Sequence, residues 1–350
     1  MTTDAETPTA APAELRAARR GRVFDAMAEA ALDALVLSRR DFVAYASGAS
    51  GLWTGGTRPF GAACVLLADT RAVHLLSTWD EGVPPEIPFE HLYGVTWNPA
   101  VMGRALGAIP GFGTARRIGV DGLSVGFEKA ARRLAPNAEL VPADDLLQAV
   151  RAVKLPAEVD RIRAAVAVAA AAVDTAAGAL ADGAAPEEAL AAALRGVAAA
   201  GVTVPASAPV VAPADPSGSL VHVDFGLLVD GYEGGVGRTV ARSGAGVGAD
   251  AGAGGAVAGA ADAQHRLVEA CRPGAAASDL RAAAGGASAW RVRGNGLGFE
   301  PPVVTGSLGE GTTLVDGMVL SVEVQVGSAR RRDVVAVAAE PRSFSPPLPE

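Results

Sequence analysis

Two carboxylates stand where a strand has little use for them. Asp224 sits in His222-Val-Asp224-Phe-Gly226, a run otherwise fit for a buried strand. Glu323 sits in Met318-Val-Leu-Ser-Val322-Glu323-Val, one acid inside an apolar strand. A carboxylate removed from water needs a cationic partner, a metal ion or several donors. Asp224 alone also reads as a turn-facing residue at a strand end. Two such acids in one half of the chain point to an interior polar site. His222, two residues before Asp224, shares its strand face; it reads either as a proton shuttle or as a packed or surface histidine.

The elements that must carry these residues follow from periodicity and punctuation. Residues 1–12 read as a frayed Thr/Ala/Pro tail. Glu14 to Leu32 reads as a helix, Ala34 to Leu37 and Phe42 to Tyr45 as short strands, and Ala62 to Leu67 with Ala72 to Leu76 as a hairpin. Arg117 to Asp121 reads as a strand and Phe127 to Leu134 as a helix, so residues 13–150 form an α/β domain. A second domain, 151–345, opens with Pro156 and Glu158 at the start of a long Ala/Val helix. Asp182-Gly183 ends that helix, and Pro186-Glu187-Glu188 starts another. Pro205 to Pro216 reads as a loop, and Val221 to Leu228 and Gly237 to Val240 as strands paired around Asp230-Gly231. Ser243 to Gly259 reads as a Gly/Ala-rich loop, and Gln264 to Cys271 and Ser278 to Ala284 as helices. Gly317 to Val326 and Val334 to Ala338 read as closing strands.

Composition narrows the function classes. The 350 residues are 50% hydrophobic and 19% charged, which excludes a disordered chain, and carry a formal charge of −8, which argues against a nucleic-acid binder. Two cysteines, Cys64 and Cys271, cannot build a disulfide framework or a cysteine-ligated zinc site. Neither a secretory leader nor a membrane span is expected, since Met1 to Pro12 lacks a cationic start and the apolar run Ala164 to Val173 is short. The expected setting is the cytoplasm. Gly244-x-Gly246-x-Gly248 lacks the strand-to-helix context of a phosphate loop, and Ser307 reads as a turn serine without a base.

Residues 151–340 resemble the catalytic domain of the pita-bread family, which holds methionine aminopeptidases, Xaa-Pro dipeptidases and aminopeptidases, and creatinase. The matching segments are Arg151…Lys154-x-Pro156-x-Glu158, Asp224-Phe-Gly226, Asp230-Gly-Tyr232, Arg238-Thr239, Gly294-x-Gly-Leu-Gly298 and Gly317-Met318-Val-Leu-Ser-Val-Glu323. Residues 13–150 resemble the N-terminal domain of the prolidase and creatinase branch. The fold expected is therefore α/β (α+β), a creatinase-like N-terminal domain followed by a pita-bread domain.

The resemblance implies two manganese, cobalt or zinc ions held by two Asp, one His and two Glu. Carried over, the first Asp falls on Asp224 and the first Glu on Glu323. The second Asp falls on Gly235, the His on Asn295 and the last Glu on Arg332. Glycine offers no side-chain ligand and arginine repels a cation. No metal cofactor is expected, and Asp224 and Glu323 are remnant ligand positions. Arg332 is either a solvated member of Arg330-Arg331-Arg332 or a buried partner of Asp224 or Glu323. Asp224, Gly235, Asn295, Glu323 and Arg332 would then line a ligand pocket.

Three functions remain open. The first is a homodimeric pseudoenzyme binding a small peptide or amino-acid-like ligand, without nucleic acid or membrane partners. The second is a metal-independent creatinase-like hydrolase acting on a small C–N bonded substrate, with Glu323, Glu300 or His222 as acid–base groups. The third is an Xaa-Pro metallopeptidase whose ligands lie elsewhere in the sequence.

Overall fold

The computed structural model describes residues 12–49, 64–76, 82–94, 99–122, 125–242 and 251–345. The expected frayed tail up to residue 11 and the glycine run at 244–248 lie outside them. The chain forms two compact units, Met1–Val150 and Arg151–Glu350.

In the first unit the elements are α1 (Ala13–Glu29), β1 (Ala34–Leu37), α2 (Arg40–Ser47), β2 (Cys64–Leu67), β3 (Ala72–Leu76), β4 (Leu92–Tyr93), α3 (Pro99–Gly107), β5 (Arg117–Val120), α4 (Val125–Leu134), β6 (Glu139–Pro142) and α5 (Asp144–Ala152). The sheet order is β4-β3-β2-β1-β5-β6, with β1 antiparallel to β2 and parallel to β5. Val36, Val65, Leu67, Phe112 and Ile118 fill one core of this unit. The expected strand at Phe42 to Tyr45 is instead part of α2. A tertiary contact decides this: the Asp121 carboxylate accepts the backbone N–H of Ser38 and of Arg39 (2.8 Å), supplying the acceptor that the helix start lacks. Gly48 then stops the helix at φ 75°.

The second unit contains α6 (Pro156–Ala181), α7 (Pro186–Ala199), β7 (Val204–Pro213), β8 (Leu220–Val229), β9 (Tyr232–Ala241), α8 (Ala251–Ala270), α9 (Ala277–Ala283), β10 (Ala289–Gly296), β11 (Gly298–Val304), β12 (Val319–Val326), β13 (Ala329–Ala336) and β14 (Arg342–Ser343). Its sheet runs β11-β10-β12-β13-β9-β8-β7, with β14 paired to β13. Two expectations change here. The Pro-rich segment is not a loop but the edge strand β7, since Pro205, Pro209 and Pro213 are tolerated where one side of a strand needs no N–H donor. The Gly/Ala stretch from residue 251 is helical, because alanine is the strongest helix former. Gly259 lets this helix approach the sheet: a Cβ there would lie 3.2 Å from Val326.

The β8–β9 hairpin sets the register of everything that follows. Val229 pairs with Tyr232, leaving the two-residue loop Asp230-Gly231, both at positive φ (50° and 81°), the geometry that a right-twisted hairpin favours. Glu158 fastens α6 to it. One carboxylate oxygen accepts the Leu155 N–H at 2.9 Å, and the other accepts the Tyr232 hydroxyl at 2.6 Å. By length and hydropathy α6 could cross a membrane; here its Ile162, Ala165, Val166, Ala169, Val173 and Ala176 are buried, and the helix packs on β8, β9 and α7.

Strand alternation separates the two faces of this sheet. On one, Gly234 lies under α6, Arg331 reaches Gln264 of α8 at 2.6 Å, and Val292, Val322, Val324 and Val335 join α8 and α9 in a core. The other face carries the polar residues. The close approach of α6 generates a prediction. A Cβ at position 234 would run into the backbone of Ala165 and Val166, so Gly234→Ala forces helix and sheet apart. It should cost about 1–3 kcal/mol, as overpacking does, read as a lower urea midpoint. A variant as stable as the parent would show that the contact is not tight.

Candidate functional site

Register delivers the charges to one line across the sheet. Asp224 on β8 pairs with Gly237 on β9, Gly237 with Arg332 on β13, Arg332 with Glu323 on β12, and Glu323 with Arg291 on β10. Paired residues point to the same face, so acids and arginines alternate in one lateral row. One row along lie His222 and Thr239, and on the other side Gly226 and Gly235, with Arg293 and Ser321.

Arg332 is the centre. It is 6% exposed, and its Nη2 lies 2.7 Å from the Asp224 carboxylate, while Nη1 stands 3.9 Å from Glu233. It is thus buried, and not a solvated member of an arginine run. Three glycines accommodate the pair. A Cβ at 235 would lie 2.7 Å from the Arg332 Cζ, one at 226 would lie 3.0 Å from Nη2, and one at 237 would meet the Asp224 carboxylate. The space at position 235 is therefore taken by the guanidinium. Glu323, on the neighbouring strand, takes its contact from Arg291 at 2.7 Å and faces Arg293 at 3.9 Å.

Two residues that sequence reasoning passed over complete the network. Glu233 is buried and accepts both Nη atoms of Arg293, one at 3.0 Å. The strands concerned are not neighbours. β9 pairs with β13 only over Arg238 and Gly237, and the start of β9 instead meets the end of β10. There Asn295, wholly buried, donates its Nδ2 to the Glu233 carbonyl at 2.8 Å. Parity was the available signal: Glu233 and Gly235 share a face at a spacing of two, as do Arg293 and Asn295.

Not all of the candidate residues converge. Glu300 is 2% exposed and held by Lys154 at 2.7 Å, Arg151 at 3.0 Å and the Leu297 N–H at 3.1 Å. Its carboxylate ties the start of the unit to the Gly294–Gly298 turn. His222 is placed on the polar face beside Thr239, with Nδ1 3.3 Å from its hydroxyl. Burial, and next the Arg330 charge, push its pKa down to about 4, so it is neutral near pH 7. Burial also raises the Asp224 pKa; the Arg332 charge opposes this, and Glu323 and Glu233 add to it. For Arg293, burial disfavours the charge, but the Glu233 carboxylate more than offsets it and the pKa is raised. Among the described residues no group of three or more His, Cys, Asp or Glu side chains is placed to hold a metal ion.

This sheet, its helical cover and the preceding α/β unit can now be set beside known proteins. Residues 160–339 match the model of metallopeptidase family M24, and residues 19–153 match that of the creatinase/prolidase N-terminal domain. The chain belongs to family M24. Solved structures with the same fold include the prolidase from Pyrococcus horikoshii OT3 (20% identity, 95% of this chain and 99% of that one, TM-score 0.73). Two others are an Xaa-Pro dipeptidase from Bacillus anthracis (17%, 96% and 99%, 0.74) and an X-Pro aminopeptidase from Thermotoga maritima (16%, 94% and 98%, 0.74). No curated protein matches the sequence significantly. Within this M24 fold, the creatinase-like first unit and the pita-bread second unit are those expected from the sequence.

Two predictions follow from the buried charges. Glu233→Gln removes the carboxylate hydrogen-bonded to Arg293 and should cost about 3–5 kcal/mol, whereas Glu233→Met with Arg293→Met should recover most of the loss. Equal urea midpoints for the two variants would show that the pair is not energetically buried. For His222, the folded-state pKa of about 4 lies below the ordinary 6.5. The unfolded chain therefore takes up the proton first, and stability is lost as pH falls from 6.5 towards 4. Between pH 7 and 5 the parent should lose about 2 kcal/mol more than His222→Gln in urea unfolding; parallel pH profiles would contradict a buried neutral imidazole.

Proposed function

We propose that this chain is an Xaa-Pro peptidase-like protein in which a guanidinium–carboxylate network stands in place of the dinuclear metal site. In this reading it keeps the family's pocket to bind a small peptide or amino-acid-like ligand and does not hydrolyse it by metal chemistry. The observation that carries the reading is the seating of the Arg332 guanidinium over Gly235, with Cζ 2.7 Å from where a Cβ would be. A fixed cation fills that space, and Asp224 is already engaged with it at 2.7 Å.

The residues present do not fit two divalent ions. A metal site gathers anionic oxygens and imidazoles around an open position. Here the five positions that the family resemblance assigns hold Asp224, Gly235, Asn295, Glu323 and Arg332. An arginine raises the electrostatic cost of any second cation, and the buried Asn295 is committed through Nδ2 to the Glu233 carbonyl. Arg332 and Arg293 together supply two positive charges to Asp224 and Glu233 without borrowing any from solvent. A guanidinium, however, does not bind water as a ligand and so does not generate hydroxide at neutral pH in the way a metal does. The network neutralises the carboxylates and omits that chemistry. The metal-free hydrolase reading is the weaker one, because both oxygens of Glu300 are already engaged, by two cations and a backbone N–H.

The test is metal retention. After incubation with excess manganese and dialysis, the parent protein should retain none, while Gly235→Asp/Asn295→His/Arg332→Glu should retain manganese in measurable stoichiometry. Retention of one or two equivalents by the parent would overturn the reading and favour metal-dependent hydrolysis of proline peptides.

A further inference from the structure

On the helical face of the second unit's sheet, two arginines lie side by side. Arg238 on β9 pairs with Arg331 on β13, so both side chains leave the sheet on the same side. Their row is otherwise apolar. Val223 on β8 flanks Arg238 and Val324 on β12 flanks Arg331, and both valines are buried. Like charges set directly opposite one another destabilise a pair of strands. The carboxylate that serves them is Asp333, two positions along β13, and it is bonded to Arg238 Nη2 at 2.7 Å. Arg331 is bonded to a neutral group instead, with its Nε 2.6 Å from Gln264 Oε1 on α8. Among the described residues no carboxylate lies at ion-pair distance from it.

Unmet donors surround the same two guanidinium groups. Gln264 is 4% exposed, and because its Oε1 accepts from Arg331 the orientation of its amide is set. Its Nε2 is then a buried donor without an acceptor. Arg238 is 3% exposed, and its Nη atoms are taken by Asp333 and by the carbonyls of Gly237 and Arg332. Its Nε is a second buried donor without an acceptor. Burial, and next the Arg238 charge, pull the Arg331 pKa down, with the Asp333 charge opposing them. The charged side chains of α8, namely Asp262, His265, Arg266 and Glu269, are exposed. Buried donors are normally met by protein, water or a ligand. Two positive charges and unmet N–H groups against one carboxylate call for a single negative charge that accepts hydrogen bonds.

We propose that Gln264, Arg331 and Arg238 form a binding site for one small monovalent anion of the halide class, between α8 and the sheet. The anion accepts from Gln264 Nε2 and from the Arg331 guanidinium, and it lies against the charge of Arg238. Arg331 is half-buried, which gives the ion a way in from solvent. A halide suits these surroundings because it only accepts and because it brings the charge of the cluster to zero. Phosphate or sulfate would carry a second charge into an apolar row, at a much higher cost of desolvation. The site faces away from Asp224 and Arg332, so it is independent of the peptide-binding reading. Occupied, it ties α8 to β13 and β9 and stabilises the fold.

The experiment is urea unfolding of the full chain in sodium bromide and in sodium gluconate at matched ionic strength. Both salts screen exposed charges alike, and gluconate is too large for the site. The midpoint should rise with bromide and saturate, as linkage to one bound ion requires, and stay level across the gluconate series. Gln264→Leu and Arg331→Leu should each abolish the bromide-specific rise, and the glutamine variant keeps the test valid if the arginine variant fails to fold. Gln264→Glu places a carboxylate of the chain itself beside Arg331 and should make the midpoint indifferent to bromide. In crystals soaked in bromide, an anomalous peak should lie within hydrogen-bond reach of Gln264 Nε2. Equal midpoints in the two salts, a bromide gain that survives Gln264→Leu, or bromide peaks at other places only would overturn the site.

Discussion

The site depends on one constraint: carboxylates taken out of water must be given positive charge. Asp224 and Glu233 are drawn into the polar face by strand register, and without compensation each would cost several kcal/mol or take up a proton. Arg332 and Arg293 meet that demand from the same sheet. Because the compensating charge is covalently part of the strands, it is present whenever the chain is folded and owes nothing to ion concentration. It is also fixed in direction. A guanidinium offers planar donors at set angles, which suits recognition of another planar group better than activation of water.

Strand alternation makes this arrangement possible within a sequence that looks like a solvated basic run. Arg330 and Arg332 point to the polar face, and Arg331 points to α8, where it meets Gln264. On that helical side a second pair, Arg238 with Asp333 at 2.7 Å, is buried apart from the first. Three adjacent arginines thus serve two faces. A shift of register by one residue would send Arg332 among the valines of the helical core and Val335 out of it, so the polar row and the hydrophobic core hold one another in place.

Much of the scaffold was legible because it is written locally. The Asp230-Gly231 hairpin, the Pro156 and Pro186 helix starts and the apolar strands around Asp224 and Glu323 each carry their own signal. The misreadings came from contacts that the local sequence does not contain. The Phe42–Tyr45 segment looks extended until Asp121, about 80 residues away, caps its helix. The proline segment became β7 because only its position at the sheet edge frees it from donating. Glu233 and Arg293 escaped notice for a similar reason: they meet across strands that are not neighbours in the sheet, so no spacing in the chain announces their contact. Glu300 showed an acidic residue after a glycine turn but not the two cations that hold it.

Gly235 and Arg332 form a coupled pair, and this explains how such a site persists. With the arginine in place, a side chain at 235 meets the far end of Arg332, so the guanidinium must shift and its contact with Asp224 is disturbed. With an acid in place of the arginine and nothing else changed, Asp224 would face Glu323 and the new carboxylate with its own counter-ion gone. Either single step displaces the guanidinium or leaves a carboxylate without its counter-ion, and the second is among the costlier changes a core can suffer. The two positions are therefore coupled. A site held in this way keeps its paired arginines and carboxylates, and one substitution alone does not turn it into a cluster of anionic oxygens and imidazoles.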